Sequence, residues 1–278
     1  MRRYVQVDVF GSGACTGNPL GVVVDGGDLA PDVMAAFSRW TNLSEVTFLA
    51  PPSQPCADYA VRIFAGTREL PFAGHPTLGS AHAWLSAGGT PRTPGVVVQE
   101  CGAGLVRVRV DDDGYWLAAP PRTRTGPLSP DEVARAASFL GLGPADVIDH
   151  EWGVNGPDWA MLQLASDAAV RAVRPVGSMA LGFEVGVVGL APAGSPFAYE
   201  VRAFLPEPTL LEDPATGSFN AAVAQWLRGK GVVPPRYTAV QGGQLGAAGE
   251  VRIDDDGADV WVGGRAVTVI DGTVLLNP

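Results

Sequence analysis

Four side chains in this sequence have the chemistry to hold or move a proton next to a turn or a strand edge. His75 lies in Leu70-Pro71-Phe72-Ala73-Gly74-His75-Pro76-Thr77, and Asp213 and Ser218 lie in Glu212-Asp213-Pro214-Ala215-Thr216-Gly217-Ser218. Glu45 belongs to Asn42-Leu43-Ser44-Glu45-Val46-Thr47-Phe48-Leu49, at the entrance to a strand. A histidine exchanges protons near neutral pH, and a carboxyl among apolar neighbours can titrate high enough to serve as a general acid–base. Gly74-His75 and Gly217-Ser218 each fall where a helix begins. The first helical N–H groups have no internal partner and carry the positive end of the helix dipole, so such ends can hold a carboxylate without Arg or Lys. Glycine there lets a ligand approach the backbone.

Each residue also has an ordinary reading. The two turns can be plain N-caps, His75 a capping or packing residue, Asp213 a cap for the second helix, and Glu45 a solvated carboxylate at a strand edge. His82, on the same helix as His75, reads as packing. Taken one at a time, these positions leave both readings open.

The elements that would position them are short Val-rich strands with fewer helices, punctuated by 36 Gly and 24 Pro. Strands are predicted at 4–10, 20–24, 46–50, 57–64, 95–100 and 105–110, and helices at 31–40 and 77–87. Ser129-Pro130-Asp131-Glu132 is a capping box with proline at the first helical position, predicting a helix to about Leu140. Residues 119–129, rich in proline and without pattern, read as a linker between domains.

A repeat of long period runs through the chain. Arg62-Ile63-Phe64, Ala73-Gly74-His75-Pro76 and Trp84-Leu85 are echoed by Arg202-Ala203-Phe204, Ala215-Thr216-Gly217-Ser218 and Trp226-Leu227. The spacing from Ala73 to Trp84 equals that from Ala215 to Trp226, with a two-residue insertion expected earlier in the second copy. Two similar α+β lobes are therefore expected, each aiming one helix start at a cleft between them.

Composition narrows the function. An apolar content of 46% against 17% charged residues supports a packed core rather than disorder. The net charge of −10 disfavours nucleic acid and anionic membrane as partners, and no apolar run is long enough to span a bilayer. Three cysteines and three histidines without ligand spacing make a zinc site unexpected. The one lysine, Lys230, makes Schiff-base chemistry unexpected too. Sparse cysteine and a start that reads directly into a strand point to the cytoplasm.

Two motifs invite misreading. Gly11-Ser12-Gly13-Ala14-Cys15-Thr16-Gly17 follows a strand, but a second strand rather than a helix comes after it, and its glycine spacing is not that of a dinucleotide loop. Cys101-Gly102-Ala103-Gly104 runs into an alternating strand, so no helix end would activate that thiol.

The segments 70–79 and 212–218, with Val7-Asp8-Val9-Phe10, Gly17-Asn18-Pro19 and Ser44-Glu45 in order, resemble the PhzF-type isomerases of phenazine biosynthesis. The resemblance runs from about residue 4 to 230. It implies a diaminopimelate-epimerase-like fold: two pseudo-symmetric lobes, each a curved, mostly antiparallel sheet wrapped around a central helix. The lobes are expected at 1–118, completed by 265–278, and at 130–264. The resemblance further implies a homodimer with no metal or organic cofactor, acting on a small carboxylic acid. By the same resemblance Glu45 is the acid–base, His75, Asp213 and Ser218 line the site, and the amides at Gly74-His75 and Gly217-Ser218 grip the substrate carboxylate.

Racemases of this fold use one cysteine at each helix start, where this chain is expected to carry Ala73 and Ala215. A methyl group cannot deprotonate a carbon. One base, Glu45, then remains, which suits an allylic proton shift better than inversion between two bases. The reference reaction is isomerisation of trans-2,3-dihydro-3-hydroxyanthranilate, with closure of the lobes expected to exclude water and raise the Glu45 pKa. An epimerase or racemase, and a non-catalytic small-acid binding protein, are the alternatives. Phe219 is bulky beside the second turn and is expected to alter the pocket.

Overall fold

In the computed structural model, residues 1–176, 181–205 and 211–277 are described. Pro278 and the segments 177–180 and 206–210, which fall within the two expected lobes, lie outside them. The chain divides into two compact units, Met1–Ala118 with Gly263–Pro278, and Ala119–Val262.

The first unit contains β1 (Arg2–Val9), β2 (Asn18–Val23), α1 (Pro31–Thr41), β3 (Glu45–Ala50), β4 (Tyr59–Ala65), β5 (Arg68–Leu70), α2 (Gly74–Ser86), β6 (Val96–Cys101), β7 (Gly104–Asp111) and β8 (Gly114–Ala118). Every neighbouring pair of strands is antiparallel except β2 with β3, which α1 connects, and β4 with β6, which α2 connects. Helix α2 is the buried centre of this unit. Seven residues from His75 to Ala81 are all buried, and Gly79 lets it sit on the sheet, since a Cβ there would lie 2.6 Å from the Leu20 side chain.

The second unit contains α3 (Pro130–Phe139), β9 (Val147–Trp152), β10 (Trp159–Leu164), α4 (Asp167–Ala172), β11 (Glu184–Leu190), β12 (Tyr199–Leu205), β13 (Leu211–Asp213), α5 (Gly217–Gly229), β14 (Arg236–Gln241), β15 (Gly249–Asp255) and β16 (Val260–Gly264), whose last two residues fall past the division. Its pairing repeats the first unit. Strands β10 and β11 run parallel across α4, β12 and β14 run parallel across α5, and the pairs β9–β10, β11–β12, β12–β13 and β14–β15 are antiparallel. Helix α5 buries eight residues between Phe219 and Leu227 and occupies the place of α2. A final strand, β17 (Ala266–Val274), returns to pair antiparallel with β1.

The duplication is therefore real, but its register differs from the sequence expectation by one residue. Aligning the helix starts puts Gly74 opposite Gly217, His75 opposite Ser218, and Ala73 opposite Thr216. Five residues separate β12 from β13 in sequence, against two between β4 and β5. Trp84 and Trp226 are then not equivalent: Trp226 is buried in the core, while Trp84 is half-exposed and stacks on Tyr59.

Local differences have local causes. Strand β1 stops at Val9 because Phe10 takes a left-handed φ of 65° and donates its N–H to the Arg265 carbonyl. Helix α2 starts three residues before Thr77 because proline is tolerated in a first turn. The capping box of α3 forms as read, with Glu132 N donating to Ser129 Oγ at 3.3 Å and Ser129 N donating to Glu132 Oε2 at 2.7 Å. The proline-rich 119–129 is no free tether. Thr123 N donates to Val154 O, Trp152 N donates to Gly126 O, and Leu128 is buried in the second unit's core.

Candidate active site

In the first unit the sequence brings a carboxyl to an imidazole. Asn42 ends α1 in the left-handed region at φ 57°, and after a two-residue reversal Glu45 opens β3 opposite Leu20 of β2. His75 is the second residue of α2. Its Nε2 lies 3.5 Å from Glu45 Oε2, with the side chains 8% and 18% exposed. Burial pushes the His75 pKa down to about 3. The contact is therefore a carboxyl beside a neutral imidazole, not an ion pair, whatever the short distance suggests. A neutral imidazole can donate to a carboxylate or accept from a carboxylic acid, and a contact of this length can tighten when substrate arrives.

The start of α2 is left open. Ala73 has no side chain to cap it, no acidic residue occupies the first turn, and Pro76 carries no N–H. Since Thr77 N already donates to Ala73 O, the backbone donors of that turn reduce to Gly74 and His75. An anion would meet two N–H groups and the helix dipole there.

In the second unit the corresponding turn is braced from below. Thr216 precedes α5 and gives it no side-chain cap; its hydroxyl instead donates to Asp213 Oδ2 at 2.6 Å. Asp213 thus binds the capping residue's side chain. Gln241, from β14, clasps the same turn: its Nε2 donates to Asp213 O and Thr216 Oγ1, and its Oε1 accepts from Thr216 N and Asn220 Nδ2. Ser218 is held separately. Its Oγ accepts from Trp159 Nε1 at 3.1 Å, and its carbonyl accepts from Asn155 Nδ2 at 2.8 Å.

Several expectations change here. The residues that immediately precede α2 and α5 are Ala73 and Thr216, where Ala73 and Ala215 were expected, and neither is a thiol. Phe219 does not face a ligand: it is wholly buried, packed on Trp159 at 5.0 Å between ring centroids, and fills the space over Gly186. Helical periodicity turned it to the sheet.

The decoys resolve physically. The Gly11–Gly17 loop folds onto the chain's own carboxylate, with Thr16 N and Gly17 N donating to Asp8. Cys101 sits at the β6–β7 hairpin, across from Gly104. His82 ties Tyr115 to Thr268 through its two ring nitrogens. Lys230 is engaged with Asp149 and lies over the Trp226 ring. Among the described residues no three His, Cys, Asp or Glu gather as metal ligands, and no helix is long and apolar enough to cross a membrane. Sequence reasoning missed Thr216, Gln241, Trp159 and Asn155. Thr216 lies in the second turn itself but was given no role, while Gln241, Trp159 and Asn155 are distant in sequence and only the fold brings them to that turn.

A carboxyl beside an imidazole at one helix start and a braced polar turn at its duplicate are thus set in a diaminopimelate-epimerase-like fold. The model of the PhzC-PhzF family, described as phenazine biosynthesis-like protein, matches residues 7–272, and the chain belongs to that family. It is 32% identical to Antisense-enhancing sequence 1 of Schizosaccharomyces pombe, over 97% of each chain. It is also 32% identical to the trans-2,3-dihydro-3-hydroxyanthranilate isomerase of Pseudomonas chlororaphis, over 99% of this chain and 100% of that one. The crystal structure of a Bacillus anthracis phenazine biosynthesis protein of the PhzF family superposes with a TM-score of 0.84 over 99% of each chain at 18% identity. The chain is an isomerase.

Proposed function

We propose that this isomerase shifts a proton along a small unsaturated amino-carboxylic acid, with trans-2,3-dihydro-3-hydroxyanthranilate as the reference substrate. The observation that carries the reading is the buried Glu45–His75 pair, with its imidazole held neutral. Glu45 takes a proton from an allylic carbon, the double bonds shift, and the proton is returned at a second carbon. His75 supports the carboxyl in both protonation states, donating Nε2–H to the carboxylate or accepting from the acid. Asp213 and Ser218 are the other proposed catalytic residues, and Gly74, His75, Gly217 and Ser218 are the proposed substrate-binding positions. Inversion at a carbon needs a second base on the opposite face, and the positions at the two helix starts, Ala73 and Thr216, carry no thiol. The reading includes two lobes corresponding to the two units, a homodimer and a cytoplasmic location.

The test is proton NMR of the purified protein with trans-2,3-dihydro-3-hydroxyanthranilate in deuterated water. Loss of substrate with deuterium appearing at one ring carbon is the expected result. Unchanged substrate at high enzyme concentration rejects it as the substrate.

A further inference from the structure

We propose that Trp159 is a positioning residue that orients the Ser218 hydroxyl as a hydrogen-bond donor to an anionic oxygen of the ligand; the proposal rests on the placement of Ser218 in the substrate site. A serine hydroxyl ordinarily both donates and accepts, and only when its proton is aimed at the ligand does it make a charge-assisted bond to a carboxylate. An indole N–H is a donor only. Trp159 Nε1 donates to Ser218 Oγ at 3.1 Å, which occupies an acceptor lone pair and turns the serine proton away from the indole. No other described residue accepts the Ser218 hydroxyl proton. Ser218 is only half-buried, so that proton is available to a ligand. Donation into Oγ also polarises the O–H and strengthens the bond it makes outward.

The indole cannot rotate out of this role. Trp159 is the first residue of β10 and is 1% exposed. Its ring is packed on Phe219, and Phe219 in turn fills the space above Gly186, where a Cβ would lie 2.1 Å from the phenyl ring. Asn155 fixes the Ser218 backbone from another side through its carbonyl. The line Gly186, Phe219, Trp159, Ser218 thus carries the core's rigidity to one hydroxyl proton. That gives the bulky Phe219 a reason to be next to Ser218 without touching ligand.

The experiment is a double-mutant cycle on binding of anthranilate, a planar aromatic carboxylate with no allylic proton to move, measured by calorimetry at pH 7. Trp159→Phe keeps an aromatic ring on Phe219 and removes the N–H. It is expected to weaken anthranilate about 5- to 10-fold, the value of one oriented hydrogen bond. In a Ser218→Ala background the same substitution should change the affinity by less than about twofold. Equal losses in both backgrounds would mean general damage to packing and overturn the proposal, as would anthranilate failing to bind the wild type.

Should Trp159→Phe fold poorly, Ser218→Ala gives an independent readout. The assigned Trp159 indole N–H resonance should move and exchange faster with solvent, whereas an unmoved resonance overturns the hydrogen bond itself. Turnover is scored separately. Coupled binding without isomerisation would reject the proposed reaction and leave the Trp159 role standing, and isomerisation with uncoupled binding would do the reverse.

Discussion

At the scale of single residues, the site depends on keeping one group neutral. His75 is nearly enclosed, and burial alone takes its pKa from 6.5 to about 3. Because the folded value lies below the unfolded one, the unfolded chain binds the extra proton first. The stability that neutral His75 supports is complete above about pH 6.5 and is lost as pH falls from there towards 3. The slope approaches about 1.4 kcal/mol per pH unit within that window. Denaturant unfolding at pH 7 and pH 5 should therefore show a larger loss for the wild type than for His75→Asn; equal losses would show that His75 titrates normally. In the proposed reaction Glu45 is the base, so Glu45→Gln should lower turnover by about 10²- to 10⁴-fold with the fold intact. Near wild-type rates in that variant would move the base elsewhere.

At the scale of elements, each helix start is presented by a helix that small residues let sink into its sheet. Under α5 the fit depends on Gly186 of β11, because Phe219 fills the volume that a side chain there would need. Gly186→Ala is expected to destabilise the chain by about 1–3 kcal/mol through overpacking. Adding Phe219→Leu should recover part of the loss. A melting temperature unchanged by Gly186→Ala would mean that the α5–sheet contact is looser than described. The braces differ between the duplicates. Gln99 links Tyr59 to Thr77 within the first unit, while Gln241 links Asp213, Thr216 and Asn220 in the second. One helix start thus has a carboxyl–imidazole contact beside it and the other a hydrogen-bonded clasp.

At the scale of the whole molecule, the repeat is a repeat of connections more than of residues. Two parallel crossovers, each over a helix, recur in the same order among otherwise antiparallel strands. The net charge of −10 disfavours a polyanionic partner. Sedimentation or light scattering should give twice the 28.8 kDa chain mass if the proposed homodimer holds. A monomer at micromolar concentration that retains full activity would remove the dimer from the proposal.

The amino-acid sequence alone determined the local features of this protein. Proline and a capping box started α3, Asn42 stopped α1, Val-rich alternation made the strands, and the glycine turns marked both helix starts. These follow from interactions between residues a few positions apart, which a linear reading captures. Glu45, His75, Asp213 and Ser218 stood out for the same reason, as reactive types at turns and strand edges, though each alone left a structural reading open. Their partners did not. Whether His75 met a carboxylate or only packed depended on β3 lying beside α2, and burial then set its charge. That Thr216 rather than Ala215 precedes α5 was decided by where the helix starts, which the equal spacing between tryptophans concealed. Trp159 and Gln241 lie 59 and 25 residues from the atoms they hold. Pairing of distant strands is decided by the packing of the whole unit, so only the tertiary structure could bring a donor-only indole to a serine and give that hydroxyl a direction.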